Sequence, residues 1–121
     1  MHYVRMYADD AGETHFQDIE VPLTDTGRSF ELSAVWKVSG LQFRHTRPDY
    51  DLDFHNAPRR QFIVNLTGGV EIEVSDGEVR RLDPGTIFLA EDTTGKGHKS
   101  RAVDNQERFS LFIHLAEEPA V

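Results

Sequence analysis

Between Asp51 and Gly69 the chain reads DLDFHNAPRRQFIVNLTGG, and several of these side chains could do chemistry together. Asp53 and His55 stand two apart in a strand-like run, and side chains two apart on a strand share a face. A short turn, Asn56-Ala57-Pro58, follows. Gln61 then opens a more apolar strand and can approach the same point. A carboxylate, an imidazole and an amide facing inward together could flank one cation. The chain has no cysteine, which excludes a disulfide, a thiolate zinc site and a cysteine nucleophile. Any metal site must therefore use histidine, carboxylate, amide or water. Arg59-Arg60 sits at the presumed mouth, and a guanidinium offers planar paired donors to a carboxylate. Arg60 is thus a candidate contact for an acidic substrate, although a solvated turn explains the pair equally well.

Other motifs fail. TTGKGH resembles a phosphate cradle, but Lys96 is followed by Gly97 rather than Ser or Thr, and the leading glycine is absent. Its glycines suit a bent loop or a lid over a cavity. No G-x-S-x-G elbow is present.

The elements that must position these residues are strands. Val70, Ile72 and Val74 alternate with Glu71 and Glu73, which gives one apolar face and one wet face. Asp76-Gly77 is a hairpin signal, and Val79 to Leu82 reads as the returning strand. Asp83-Pro84-Gly85 turns the chain into a short buried strand, Thr86 to Ala90. Arg108 to Leu115 forms a last strand, with Phe109, Leu111, Ile113 and Leu115 on one face and Ser110, Phe112 and His114 on the other. Upstream, Phe30 to Val38 and Leu41 to Thr46 read as strands broken at Ser39-Gly40, and Thr14 to Leu23 as an edge strand. Many short strands with frequent turns imply an all-β sandwich or barrel.

A chain of 121 residues suggests one domain with one core, here 1–121, with N-terminal edge strands in 1–30. The net charge of −8 disfavours nucleic acid and anionic membrane surfaces, because it would repel phosphates. No signal-peptide core or membrane-length apolar run is present, which reads as cytoplasmic.

At this point the chain resembles the cupin family. The family's first motif carries a histidine pair, then a carboxylate, then a glycine after a spacer. Here Gln61 stands at the carboxylate position, followed by Phe62 to Thr67 and Gly68, while His55 falls where the histidine pair belongs. For the second motif, Leu82-Asp83-Pro84-Gly85 and Ile87 to Ala90 resemble the entering turn and strand. Glu91 to Gly97 would be an enlarged loop leading to the histidine position, His98; Ala102 replaces the closing Asn. The resemblance spans 41–115. It implies a jelly-roll, or double-stranded β-helix, barrel. It also implies a divalent ion (iron, zinc or manganese) held by His55 and His98, with Asp53 and Gln61 as ligands or supporting partners. Two histidines and a carboxylate with open positions is the arrangement of many non-haem iron sites.

In such a barrel His114 and His45 could also enter the cavity, and Trp36 could line an apolar pocket. The plainer reading of all three is rim or core. The resulting expectation is a metal-dependent oxygenase, isomerase or lyase acting on a small polar metabolite. The alternatives are a non-catalytic sensor or binding cupin, and a metal-free isomerase with a histidine base. A homodimer is expected, paired through the N-terminal edge strand.

Overall fold

The computed structural model describes residues 1–117. They are all-β, as the strand-period alternation predicts, and contain no helix that could cross a membrane. The strands are β1 (His2–Ala8), β2 (Thr14–Glu20), β3 (Thr24–Asp25), β4 (Glu31–Leu32), β5 (Val38–Thr46) and β6 (Asp51–His55). They continue with β7 (Gln61–Thr67), β8 (Val70–Val74), β9 (Val79–Leu82), β10 (Ile87–Ala90), β11 (His98–Ala102) and β12 (Arg108–Leu115).

A 6-stranded sheet runs β2-β1-β10-β7-β12-β5, and a 4-stranded sheet runs β6-β11-β8-β9; β3 and β4 form a small separate ribbon. Among the described residues only β1 and β10 pair in parallel. Among the described residues no ladder joins the two large sheets, so the strands do not form one hydrogen-bonded ring. The sheets instead share a core. Val4, Met6, Ile63, Phe88 and Phe112 come from the larger sheet, and Val70, Ile72, Val74 and Leu82 from the smaller. Each such large side chain stabilises the fold by about 1.5–3 kcal/mol relative to exposure. The predicted alternation in β8 is observed, with Val70, Ile72 and Val74 buried and Glu71 and Glu73 only partly so.

Two upstream expectations need correction. Phe30 to Val38 is not one strand; Glu31–Leu32 pairs in the small ribbon, Val38 opens β5, and between them Val35 is 93 % exposed. The segment has β-prone residues but no neighbouring sheet to bury them. Nor does Ser39-Gly40 break the chain, since β5 runs through it. Gly40 pairs with His114 and Val38 with Leu115, which leaves Ser39 as an extra, bulged residue. A Cβ on Gly40 would meet His114 Nδ1 at 3.2 Å, so the glycine admits the imidazole.

At one end a polar clamp ties the sheets together. His15 on β2 bonds Asp9 and Asp76, each at 2.7 Å, and Asp76 belongs to the β8–β9 turn. Ser75 Oγ also accepts from Thr14 N–H at 2.7 Å. The two carboxylates raise the His15 pKa above 6.5. The His15 bond lowers that of Asp9; the Glu78 backbone N–H, then His15, lowers that of Asp76. The His15 contribution is therefore full below pH 6.5 and lost as pH rises through the raised value. The aspartate contributions are present above pH 3.8 and lost as pH falls through their lowered values. Thermal melts should show wild type above His15→Gln in Tm between the two, with the gap shrinking as pH rises beyond neutrality. A gap that widens with pH would contradict the clamp.

Candidate functional site

Between the sheets lies a cavity of about 260 Å³. Its apolar wall is the core just described: Met6, Ile63, Val70, Ile72, Phe88 and Phe112. His55 and His98 bring imidazoles to it from neighbouring strands. The two residues are directly paired across β6 and β11, so side chains remote in sequence stand opposite one another. Their ring centroids are 4.4 Å apart with the planes at 54°. His98 is buried and His55 half-buried.

Each imidazole is held through Nδ1. His55 Nδ1 lies 2.8 Å from the backbone oxygen of Asp53. A carbonyl only accepts, so Nδ1 carries the proton and Nε2 keeps its lone pair in the neutral ring. His98 Nδ1 donates to the carboxylate of Asp92, which is fully buried. Here too Nε2 is the nitrogen left for a ligand. An imidazole fixed by an oxygen at one nitrogen is the usual support of a metal-binding histidine. Gln61 opens β7 in the same cavity; it is 3 % exposed, and its Oε1 has no hydrogen-bond partner. A buried amide oxygen without a donor is costly unless a ligand supplies one.

Asp53 is placed differently from the expectation. His98 pairs with His55 and Ser100 with Leu52, so Asp53 and Phe54 together oppose Lys99. This bulge breaks the alternation, and residues two apart no longer share a face. The Asp53 side chain is exposed in an outer hollow with Glu71, Glu73 and Arg101, and only its carbonyl serves the site. Asp53→Asn should therefore leave divalent-metal affinity within about twofold of wild type, whereas Asp92→Ala should weaken it by about 10–100-fold. Calorimetric titration of both variants with zinc checks this; an equal loss in the two would contradict the placement.

The two conspicuous sequence stretches interlock around the histidines. Asn56 donates its side-chain amide to Asp92 O at 3.2 Å and to Gly95 O at 3.1 Å, and Ala57 N–H reaches Asp92 O at 3.2 Å. Lys96 N–H reaches Gly12 O at 2.9 Å, and its ammonium pairs with Glu13 at 2.6 Å. The glycine loop is thus pinned at several points, which fits a bent support for Asp92 rather than a lid.

The four expected substrate contacts all lie outside the cavity lining. Arg60, just before β7, turns away from the cavity and pairs with Glu91 at 2.8 Å. Burial pushes the Glu91 carboxyl up, but Arg60 and Arg5 outweigh it and hold the pKa below its ordinary value. It is Arg59 that lines the cavity. His114 sits behind the wall, within 3.2 Å of Arg59 Nη1 and 3.0 Å of Gln42 Oε1, and so supports two lining residues. His45 is exposed on the outer face, bonded to Glu107 at 2.9 Å and stacked on Phe109. Trp36 lines a separate hollow, with its ring 4.9 Å from that of Phe62 and 6.3 Å from that of Tyr3.

Sequence reading missed Asp92, Tyr50, Ser100, Arg44 and Arg108. Tyr50 and Ser100 share a hydroxyl hydrogen bond of 2.6 Å. Arg108 is 4 % exposed, and burial lowers its pKa to about 10.

No family model matches the chain, and no curated protein matches it. Solved structures do. A conserved protein of unknown function, SPY1581 from Streptococcus pyogenes, aligns with a TM-score of 0.52 at 17 % identity, over 72 % of each chain. Protein NMB1881 from Neisseria meningitidis aligns with a TM-score of 0.50 at 13 % identity, over 73 % of this chain and 90 % of that one. At these identities the likeness shows a shared fold alone.

Proposed function

We propose that this chain is a small cupin whose cavity binds one divalent cation through His55 and His98 and acts on a small polar metabolite. One observation carries the reading: two facing imidazoles, each with Nδ1 bonded to an oxygen, share a cavity with the unpartnered Gln61 Oε1. Among the described residues no group of three or more His, Cys, Asp or Glu side chains is arranged to hold a metal ion. The donors that fit a cation are accordingly two imidazoles and one amide oxygen, with further positions left for water or substrate. Nitrogen and oxygen donors of this kind suit iron, zinc or manganese.

Once bound, such an ion supplies Lewis-acid polarisation or oxygen activation. The chain's own residues do the rest. Asp92 fixes the His98 tautomer, and the Asp53 carbonyl fixes that of His55. The Tyr50–Ser100 hydroxyl pair can hold or pass a proton, and the apolar wall keeps bulk water from the reacting atoms. A second reading, a sensor that binds a metabolite without turning it over, is favoured by the neutral amide at position 61 and by a lining free of carboxylates.

Metal content of protein purified without chelator or nickel tests the first reading. One equivalent of iron, zinc or manganese supports it when both His55→Ala and His98→Ala lose the metal. Metal-free protein that also fails to take up added zinc overturns it in favour of the second.

A further inference from the structure

The cavity's charge is unusual for this protein. The chain has 21 acidic residues against 13 lysines and arginines, yet among the described residues no Asp or Glu lines the cavity, while Arg44, Arg59 and Arg108 do. None of the three is within ion-pair distance of a described carboxylate. Arg108 is the telling one. It is nine-tenths buried or more, its guanidinium lies 5.7 Å from the Tyr50 ring, and its one hydrogen bond, to Asn65 Oδ1, is stretched to 3.5 Å. Arg44 stands nearby, 4.7 Å from the Phe112 ring and 5.6 Å from that of Tyr50. A buried charge is normally retained only where something pairs with it.

The two ends of the cavity are connected through side chains. His98 and Ser100 are two apart on β11 and both line it; Ser100 bonds Tyr50, and Tyr50 borders Arg108. Two strand residues span about 7 Å, about the length of a short carbon chain. The cavity also carries an apolar wall, with Met6, Ile63, Val70 and Ile72, which suits a hydrocarbon body better than inorganic phosphate.

We propose that the cavity is built for a small organic carboxylate. The carboxylate sits on Arg108 with Arg44 beside it, and the other end of the molecule reaches His55 and His98. This rests on reading the cavity as a ligand site, as above, but not on the cation. The probes are succinate and glutarate, with their uncharged amides and inorganic phosphate as controls, titrated by calorimetry into chelator-treated protein. A dicarboxylate should bind at least thirtyfold more tightly than its amide, and more tightly than phosphate. Arg108→Met, which keeps the length and removes the charge, should weaken that binding by about thirtyfold or more while zinc affinity is unchanged. If Arg108→Met does not melt cooperatively, Arg44→Gln decides, with a loss of about fivefold or more expected. Equal binding of acid and amide, tighter phosphate binding, or wild-type affinity in the folded variant would overturn the proposal. Loss of zinc binding with carboxylate binding intact would instead remove only the metal reading.

Discussion

His98→Ala should bind zinc or manganese at least tenfold more weakly than wild type, and the loss should approach or exceed a hundredfold. Removing a group that merely orients a ligand costs about 10–100-fold, and here the ligand itself is lost. Because a cation held at the proposed site would bind only the folded chain, the same change should be visible in melting. At a metal concentration a hundredfold above Kd, wild type gains about 2.7 kcal/mol, and the variant should gain little. The metal-free melt of His98→Ala separates this from simple destabilisation, since the substitution also leaves the buried Asp92 carboxylate without its partner. A variant whose metal-induced rise in Tm equals that of wild type would remove His98 from the site.

Gly97→Ala is expected to damage the framework of the site severely. Gly97 has φ of +77°, in the left-handed region that side chains disfavour. A Cβ there would fall 2.3 Å from the backbone oxygen of His55 and 2.7 Å from its carbonyl carbon. Neither atom is the end of a flexible side chain, so β6 and the loop before β11 must part. The backbone penalty and the overpacking each cost about 1–3 kcal/mol, giving a loss of about 2–6 kcal/mol. The displaced strand carries His55, so metal affinity should fall with stability. Gly77→Ala, at φ of +98° but with open space around it, isolates the backbone term alone. A Gly97→Ala variant no less stable than Gly77→Ala would mean that the close approach is not there.

How much of this was legible in the sequence follows from what local patterns encode. Val70 to Val74 and the Asp76-Gly77 hairpin were readable because alternation and a positive φ are written in neighbouring residues. The last strand was readable in extent but not in orientation. Its more apolar face carries Phe109, which is exposed, while Arg108 and Phe112 line the cavity and Ser110 is buried. Apolar content points to the wrong face where the interior holds a polar site. Asp53 was misplaced because a bulge shifts the face of everything beyond it, and nothing in DLDFH announces one. Asp92 left a faint trace, the second of two carboxylates after a buried apolar strand; its loop is held by Asn56, far away in the chain. The meeting of His55 with His98 is a matter of strand order, which no local signal carries; only the resemblance suggested it.

The account stands on two imidazole nitrogens from paired strands sharing one ion. X-ray absorption on protein loaded with one equivalent of zinc measures that directly. Two imidazole ligands at about 2.0–2.1 Å are expected in wild type, with one lost in each of His55→Ala and His98→Ala. A zinc environment with no imidazole scattering, or one that neither substitution alters, would contradict it.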